Sequence, residues 1–334
     1  MKALVYETAN TIENFPIERR EIADPTVRDG DVLVDIRAIG INPGEAYFRQ
    51  VRSAEPGGYV LLGFEFSGVV AEIGRSVEGF RVGDRVFGTG DLFRDGAYAE
   101  RLAIDHRIIA KLPDSIPFDQ GASLAVGAVT ATEAMFRDQD ALPAGVKTVM
   151  IIGGAGAIGS LGTQVLKATT SAFVIATASR PESREWCSKM GADLVVDHHG
   201  DMPAQLAAAD IHEVDMVLST AGTAANLGAI ASLIRPYGHI AFVDPVPPLD
   251  LGPMGPLGGK APSLHMEMMF TRIVNNYQPE RQGRFLQKLA TLVAQGHVHP
   301  IMTTRLEGLT VETMKTAHEM IEQGRTIGKI VIAL

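Results

Sequence analysis

An α/β chain in two parts is expected from this sequence: an open, doubly wound parallel sheet with helices on its faces, and a mainly β part. Three observations lead there. From about Phe118 onward, strand-like apolar runs alternate with helical ones, the pattern of a parallel sheet covered by helices. Before that point, short apolar runs are broken by glycine, proline and charge, the texture of strands joined by irregular loops. Between a strand-like and a helix-like run lies Gly153-Gly154-Ala155-Gly156-Ala157-Ile158-Gly159, the spacing of a dinucleotide-binding turn.

The elements follow in order. Residues 1–7 read as a first strand, and residues 32–36, 68–73 and 85–87 as further strands, with turns at Asp29-Gly30 and Val82-Gly83-Asp84. Strands over 148–152, 173–177, 194–196, 216–219 and 240–243 then alternate with helices, the first over 160–168. Residues 252–262 are rich in glycine and proline and read as a loop. Residues 286–295 are amphipathic, and 310–323 form a second late helix with Thr310 as its cap. The chain closes on a strand over 329–332.

Bulk properties narrow the function. A chain of 334 residues is long for one core and natural for two domains. The net charge of -9 argues against a general nucleic-acid or membrane-surface binder. No apolar stretch is long enough to span a bilayer, and the first residues lack the apolar centre of a signal peptide. A single cysteine, Cys187, excludes an intrachain disulfide and makes a reducing, cytoplasmic setting the expectation.

The glycine turn carries the chemistry. Gly154 is expected to make the tight turn, Gly156 to let backbone approach a pyrophosphate, and Gly159 to bring helix and strand together. The helix N-terminus, at Ala157 and Ile158, would offer N–H groups and a positive dipole end to the phosphates. An NAD site places an acid at the end of the next strand, but no acid lies between Phe173 and Pro181. Ser179 and Arg180 stand there, a hydroxyl and a guanidinium suited to a 2'-phosphate, so NADPH is the expected coenzyme. Ligands bind beyond the carboxyl ends of such strands, which puts Thr220, Ala221, Phe242 and Val243 near the nicotinamide ribose or ring. His198 and His199 are adjacent, so on a strand they would point to opposite faces and make poor co-ligands. His297 and His299 could share a face but have no third partner, and no metal is expected at either pair.

Taken in this order, the chain resembles the medium-chain dehydrogenase/reductase superfamily over essentially its whole length. Gly63-Phe64-Glu65-Phe66-Ser67-Gly68-Val69-Val70 and Gly79-Phe80-Arg81-Val82-Gly83-Asp84-Arg85-Val86 look like its GroES-like catalytic domain. The resemblance implies that domain over residues 1–121 and 272–334, and a Rossmann domain over 122–271. Residues 176–182 and 263–272 are similar to the zinc-binding alcohol dehydrogenase family and its quinone oxidoreductase relatives.

The sequence departs from the zinc-bearing pattern. Asn42 stands where those relatives have cysteine, Phe64 where they have histidine, and residues 124–132 hold neither. A catalytic zinc needs about three protein ligands, and Glu65 alone cannot hold it. The four cysteines of the relatives' structural zinc lobe are absent after Gly88. Without zinc as a Lewis acid, a quinone or α,β-unsaturated carbonyl is the expected hydride acceptor.

Residues 42–49 look like the active-site loop of quinone oxidoreductases. This implies that Asn42 faces the nicotinamide as an amide donor and that Tyr47 borders the acceptor as donor or positioning group. Arg49 is read as a solvated cation without a role. The resemblance also places Thr130, His198 and Lys329 against the coenzyme and implies a homodimer through the sheet edge at 262–270. Cys187 and Trp186 are read as packing residues. Two alternatives stand: an alcohol or aldehyde dehydrogenase of the zinc type, and a protein that binds NADPH as a sensor without turnover.

Overall fold

A computed structural model of the chain describes residues 1–244, 255 and 257–334. Residues 252–254 and 256 of the loop expected over 252–262 lie outside the described residues. The chain divides into two compact units, Met1–Val126 with Phe270–Leu334, and Gly127–Met269.

The second unit is built on a six-stranded sheet in which every described pairing is parallel. Its strands run in the order Leu194–Val196, Phe173–Thr177, Thr148–Ile152, Val214–Ser219, Ile234–Phe242 and Ser263–Met266. The chain starts at Thr148–Ile152, builds outward on one side, then returns to build on the other. The switch therefore falls beside Thr148–Ile152, where open α/β sheets bind ligands. Val149 and Ile151 belong to one apolar cluster, and Met150 and Ile152 to the cluster on the opposite face. A strand buried on both faces reads as a continuous apolar run, which is why this one is plain in the sequence.

The first unit holds a seven-stranded sheet centred on Asp31–Ile41, which pairs antiparallel with Glu65–Ile73, Lys329–Ala333 and Arg101–Asp105. Lys2–Val5 pairs with Glu18–Glu21, a ribbon the sequence does not betray because Glu-Arg-Arg-Glu has no apolar alternation. Thr310 caps the Val311–Glu322 helix by accepting a hydrogen bond from the Thr313 N–H at 3.1 Å. Among the described residues, no helix is long and apolar enough to cross a membrane.

Candidate active site

The glycine turn joins the Thr148–Ile152 strand to the Ala157–Thr169 helix. The residue in the left-handed region is Gly153, at φ +81°, so the tight turn belongs to Gly153 and not to Gly154. Gly154 is required for space: a Cβ there would lie 2.7 Å from Ala176 Cβ and 3.1 Å from Cys187 Sγ. Gly159 packs against the turn itself, its would-be Cβ 2.5 Å from the Gly153 oxygen. Gly156 differs, since a Cβ there would meet only the Gly153 oxygen, at 3.6 Å. This open side is a cradle that a side chain would fill. Gly156 is also the N-cap of the helix and supplies no side-chain cap to its first N–H groups, which among the described residues keeps the helix start open. A pyrophosphate fits that donor set.

Neighbouring strands fix the turn. Gly153 donates its N–H to Thr177 Oγ1 at 3.1 Å, and Thr220 Oγ1 donates to the Ile152 carbonyl at 2.8 Å. Thr220, Ala221, Phe242 and Val243 lie at the carboxyl ends of the Val214–Ser219 and Ile234–Phe242 strands, with Val243 N–H bonded to the Ser219 carbonyl. Thr130 is buried in the Ala125–Phe136 helix.

Ser179 and Arg180 end the connection from the Phe173–Thr177 strand, and Arg180 is the N-cap of the Pro181–Lys189 helix. Its N–H is bonded to Ser183 Oγ at 3.2 Å, and its guanidinium lies 3.3 Å from Glu182. An acid therefore stands close to the guanidinium, one helical residue beyond the stretch in which none was expected.

His198 and His199 lie in a turn past the strand end, and their rings lie side by side, centroids 4.4 Å apart and tilted by 49°, instead of pointing to opposite faces. Burial, then the neighbouring His199, lowers the pKa of His198. His297 and His299 are both exposed. Among the described residues, no group of three or more His, Cys, Asp or Glu could hold a metal ion. Cys187 is buried, and burial pushes its thiol up to about 11. Trp186 is only half-buried, and its indole N–H donates to Ser160 Oγ at 2.8 Å.

In the first unit a buried polar array surrounds the start of the Pro43–Val51 helix. Asn42 is the N-cap, and Pro43 opens the helix with the φ it needs. Glu45, fully buried, turns back to accept the N–H of Asn42 at 2.9 Å and that of Phe64 at 2.9 Å. Burial pushes the Glu45 carboxyl up to about 7, against the opposing pull of the Phe64 N–H, Lys329 and Asn42. Lys329 is 2 % exposed, and its ammonium contacts both Glu65 and the Asn42 side-chain oxygen. The Glu65 contact is a charge pair without hydrogen-bond alignment at Oε2, while Oε1 accepts the Val126 N–H at 3.0 Å. Sequence reasoning missed Glu45 as a member of this array, although Asn42 followed three residues later by an acid is the signal of a capping pair.

Tyr47 is 54 % exposed and begins a chain of edge-to-face aromatic rings: Tyr47 on Phe48, Phe48 on Phe64, Phe64 on Phe270. Arg49, read from sequence as a solvated cation, is fully buried instead. It pairs with Glu322 and lies over the Phe15 ring. The local helix pattern gave no sign of this, because the partner comes from the far end of the chain.

Residues 28–114 match the family of alcohol dehydrogenase GroES-like domains, and residues 190–332 match zinc-binding dehydrogenases. A zinc-type alcohol dehydrogenase-like protein of Staphylococcus aureus (strain MSSA476) is 34% identical over 92% of each chain. A quinone oxidoreductase of Lama guanicoe is 26% identical over 94% of this chain and 92% of its own. The crystal structure of a Rhizobium etli CFN 42 protein, named as a zinc-dependent alcohol dehydrogenase, superposes with a TM-score of 0.94 at 32% identity, covering 100% of this chain and 98% of that one. With a GroES-like domain, a parallel Rossmann sheet and these relatives, the chain is an oxidoreductase of the medium-chain dehydrogenase/reductase superfamily.

Proposed function

We propose that the chain is an NADPH-dependent, zinc-independent reductase that passes hydride to a quinone or an α,β-unsaturated carbonyl. The observation that carries this reading is the engagement of Lys329 with both Asn42 and Glu65. Phe64 offers no donor atom, the oxygens of Asn42 and Glu65 are turned toward an ammonium, and the Glu45 carboxyl is taken up by the Asn42 and Phe64 N–H groups. A zinc ion does not fit such a donor set. The Lama guanicoe relative, named as a quinone oxidoreductase, supports the same acceptor class.

When bound, a reduced nicotinamide supplies a hydride. The open side of Gly156 and the N–H groups of the following helix hold the pyrophosphate, and Ser179 with Arg180 binds the 2'-phosphate. In a conjugated acceptor the charge delocalises onto a distant oxygen, where a hydrogen-bond donor lowers the barrier. Asn42 is the amide donor for that oxygen, and Tyr47, exposed on the same helix, orients the acceptor.

A second reading, alcohol or aldehyde dehydrogenation with zinc, is favoured by the names of the Staphylococcus and Rhizobium proteins. One experiment separates the two. NADPH oxidation is followed with 1,2-naphthoquinone, an enone and a simple aldehyde after chelation. Turnover of the first two without metal is expected. Aldehyde turnover restored only by zinc would defeat the proposal.

The same reading includes a homodimer through the Ser263–Met266 strand, the outer strand of its sheet, with Met266 81 % exposed. A mass of one chain by light scattering at micromolar concentration would remove it. It also includes a cytoplasmic setting, in keeping with one buried cysteine; fractionation of cells expressing the protein tests this.

A further inference from the structure

Asn42 has an amide that could be rotated either way, and its surroundings leave one choice. An ammonium only donates, so the side-chain oxygen must face Lys329. With the oxygen fixed there, the amide nitrogen faces Glu45, whose Oε1, already accepting the Phe64 N–H, lies 3.2 Å away. Among the described residues, the second hydrogen of that nitrogen has only the Gly40 carbonyl, at 3.5 Å, the outer limit of a hydrogen bond. Asn42 keeps 7 % exposure.

The clamp is itself fixed. Lys329 opens the Lys329–Ala333 strand and donates its backbone N–H to Ile301 at 2.9 Å. Its stem passes Gly40, where a Cβ would lie 2.9 Å from Lys329 Cε, 2.7 Å from Glu65 Oε2 and 2.2 Å from the Ala122 carbonyl. Only glycine at 40 leaves the ammonium room to reach Asn42.

We propose that Lys329 is a positioning residue: its ammonium holds the Asn42 oxygen inward, so that the weakly bonded N–H of Asn42 is presented as the donor to the acceptor oxygen. The inference rests on the function proposed above. It assigns Lys329 an action through Asn42, in place of direct contact with coenzyme.

The test is a double-mutant cycle with a structural readout. Lys329→Met is made alone, with Glu65→Gln so that no buried carboxylate is left unpaired, and in an Asn42→Ala background. The expected result for Lys329→Met/Glu65→Gln is a loss of about tenfold or more in kcat for acceptor reduction, with the Kd for NADPH within about twofold. In the Asn42→Ala background the same pair causes no further loss in kcat. By NMR on the 15N-asparagine protein, the Asn42 side-chain N–H signals exchange more slowly in wild type, where the clamp fixes the amide, than in the Lys329→Met/Glu65→Gln variant, where the amide can turn. Weakened NADPH binding at unchanged kcat, or an equal loss with and without Asn42, would overturn the proposal. So would Asn42 N–H exchange that the substitutions leave untouched. Wild-type protein that reduces no acceptor would reject the proposed function, and the exchange measurement would still decide the clamp.

Discussion

Arg49 and Glu322 join the Pro43–Val51 helix to the Val311–Glu322 helix through an ion pair that is wet at one end only. The guanidinium has no solvent exposure, whereas the carboxylate keeps 25%. Two of the guanidinium nitrogens, Nε and Nη1, have no hydrogen-bond partner among the described residues. Removing one partner is therefore unequal to removing the other. Glu322→Gln leaves a dry, unpaired cation and is expected to cost about 3 kcal/mol. Arg49→Met leaves a carboxylate that water can reach and keeps an apolar stem on Phe15, so about 1 kcal/mol is expected. Urea denaturation of both variants reads the difference, and equal losses would contradict it.

Acid should loosen the same region through His318. Its ring is fully buried, with Nε2 3.2 Å from the Tyr98 hydroxyl, and burial, aided by Arg49, holds its pKa down to about 3. The unfolded chain takes up that proton near 6.5 and the folded chain does not, so stability is lost as pH falls from about 6.5 toward about 3. The slope from this one group is at most about 1.4 kcal/mol per pH unit. His318→Gln keeps a partner for Tyr98 and cannot titrate. Its melting temperature should fall less steeply with acid than that of wild type.

Gly156→Ala separates coenzyme binding from folding. The backbone there is at φ -73°, and the added methyl meets only the Gly153 oxygen, at 3.6 Å. An unchanged melting temperature is expected, with NADPH binding weakened about tenfold or more, a loss of about 1.4 kcal/mol. Gly159→Ala places its methyl 2.5 Å from the Gly153 oxygen and should damage folding as well. Calorimetric titration beside thermal melts distinguishes the two variants.

Glu182 competes for Arg180. Their side chains lie 3.3 Å apart on a half-exposed surface, where such pairs contribute about 0.5 kcal/mol. Glu182→Gln should lower the KM for NADPH by about twofold and leave that for NADH unchanged. Arg180→Ala should raise the KM for NADPH alone. A matching change in the NADH value would show that the guanidinium does not recognise the 2'-phosphate.

The parallel sheet and its glycine turn were legible because their signals are local. Thr148–Ile152 and Phe173–Thr177 are buried on both faces or nearly so, and their apolar runs have the bounds of the strands themselves. The buried polar array was not legible in the same way. Asn42 and Lys329 are separated by 287 residues, and no spacing rule connects them. Arg49 failed for the same reason, since its burial depends on a helix contributed by the last part of the chain. Glu18–Glu21 was missed on a different count: an edge ribbon made of charges has no apolar face to announce it. Gly153 was passed over in favour of Gly154 because sequence spacing gives the positions of glycines but not which of them has a positive φ.

Cys187 lies directly under the glycine turn, 1 % exposed, with its sulfur 3.1 Å from where a Gly154 Cβ would be. It is the one thiol in the chain. A maleimide can therefore label the protein only when the floor of the turn lifts. The labelling rate becomes a clock for local breathing at this spot, readable by mass spectrometry without any engineered probe. A dinucleotide seated above should slow that clock.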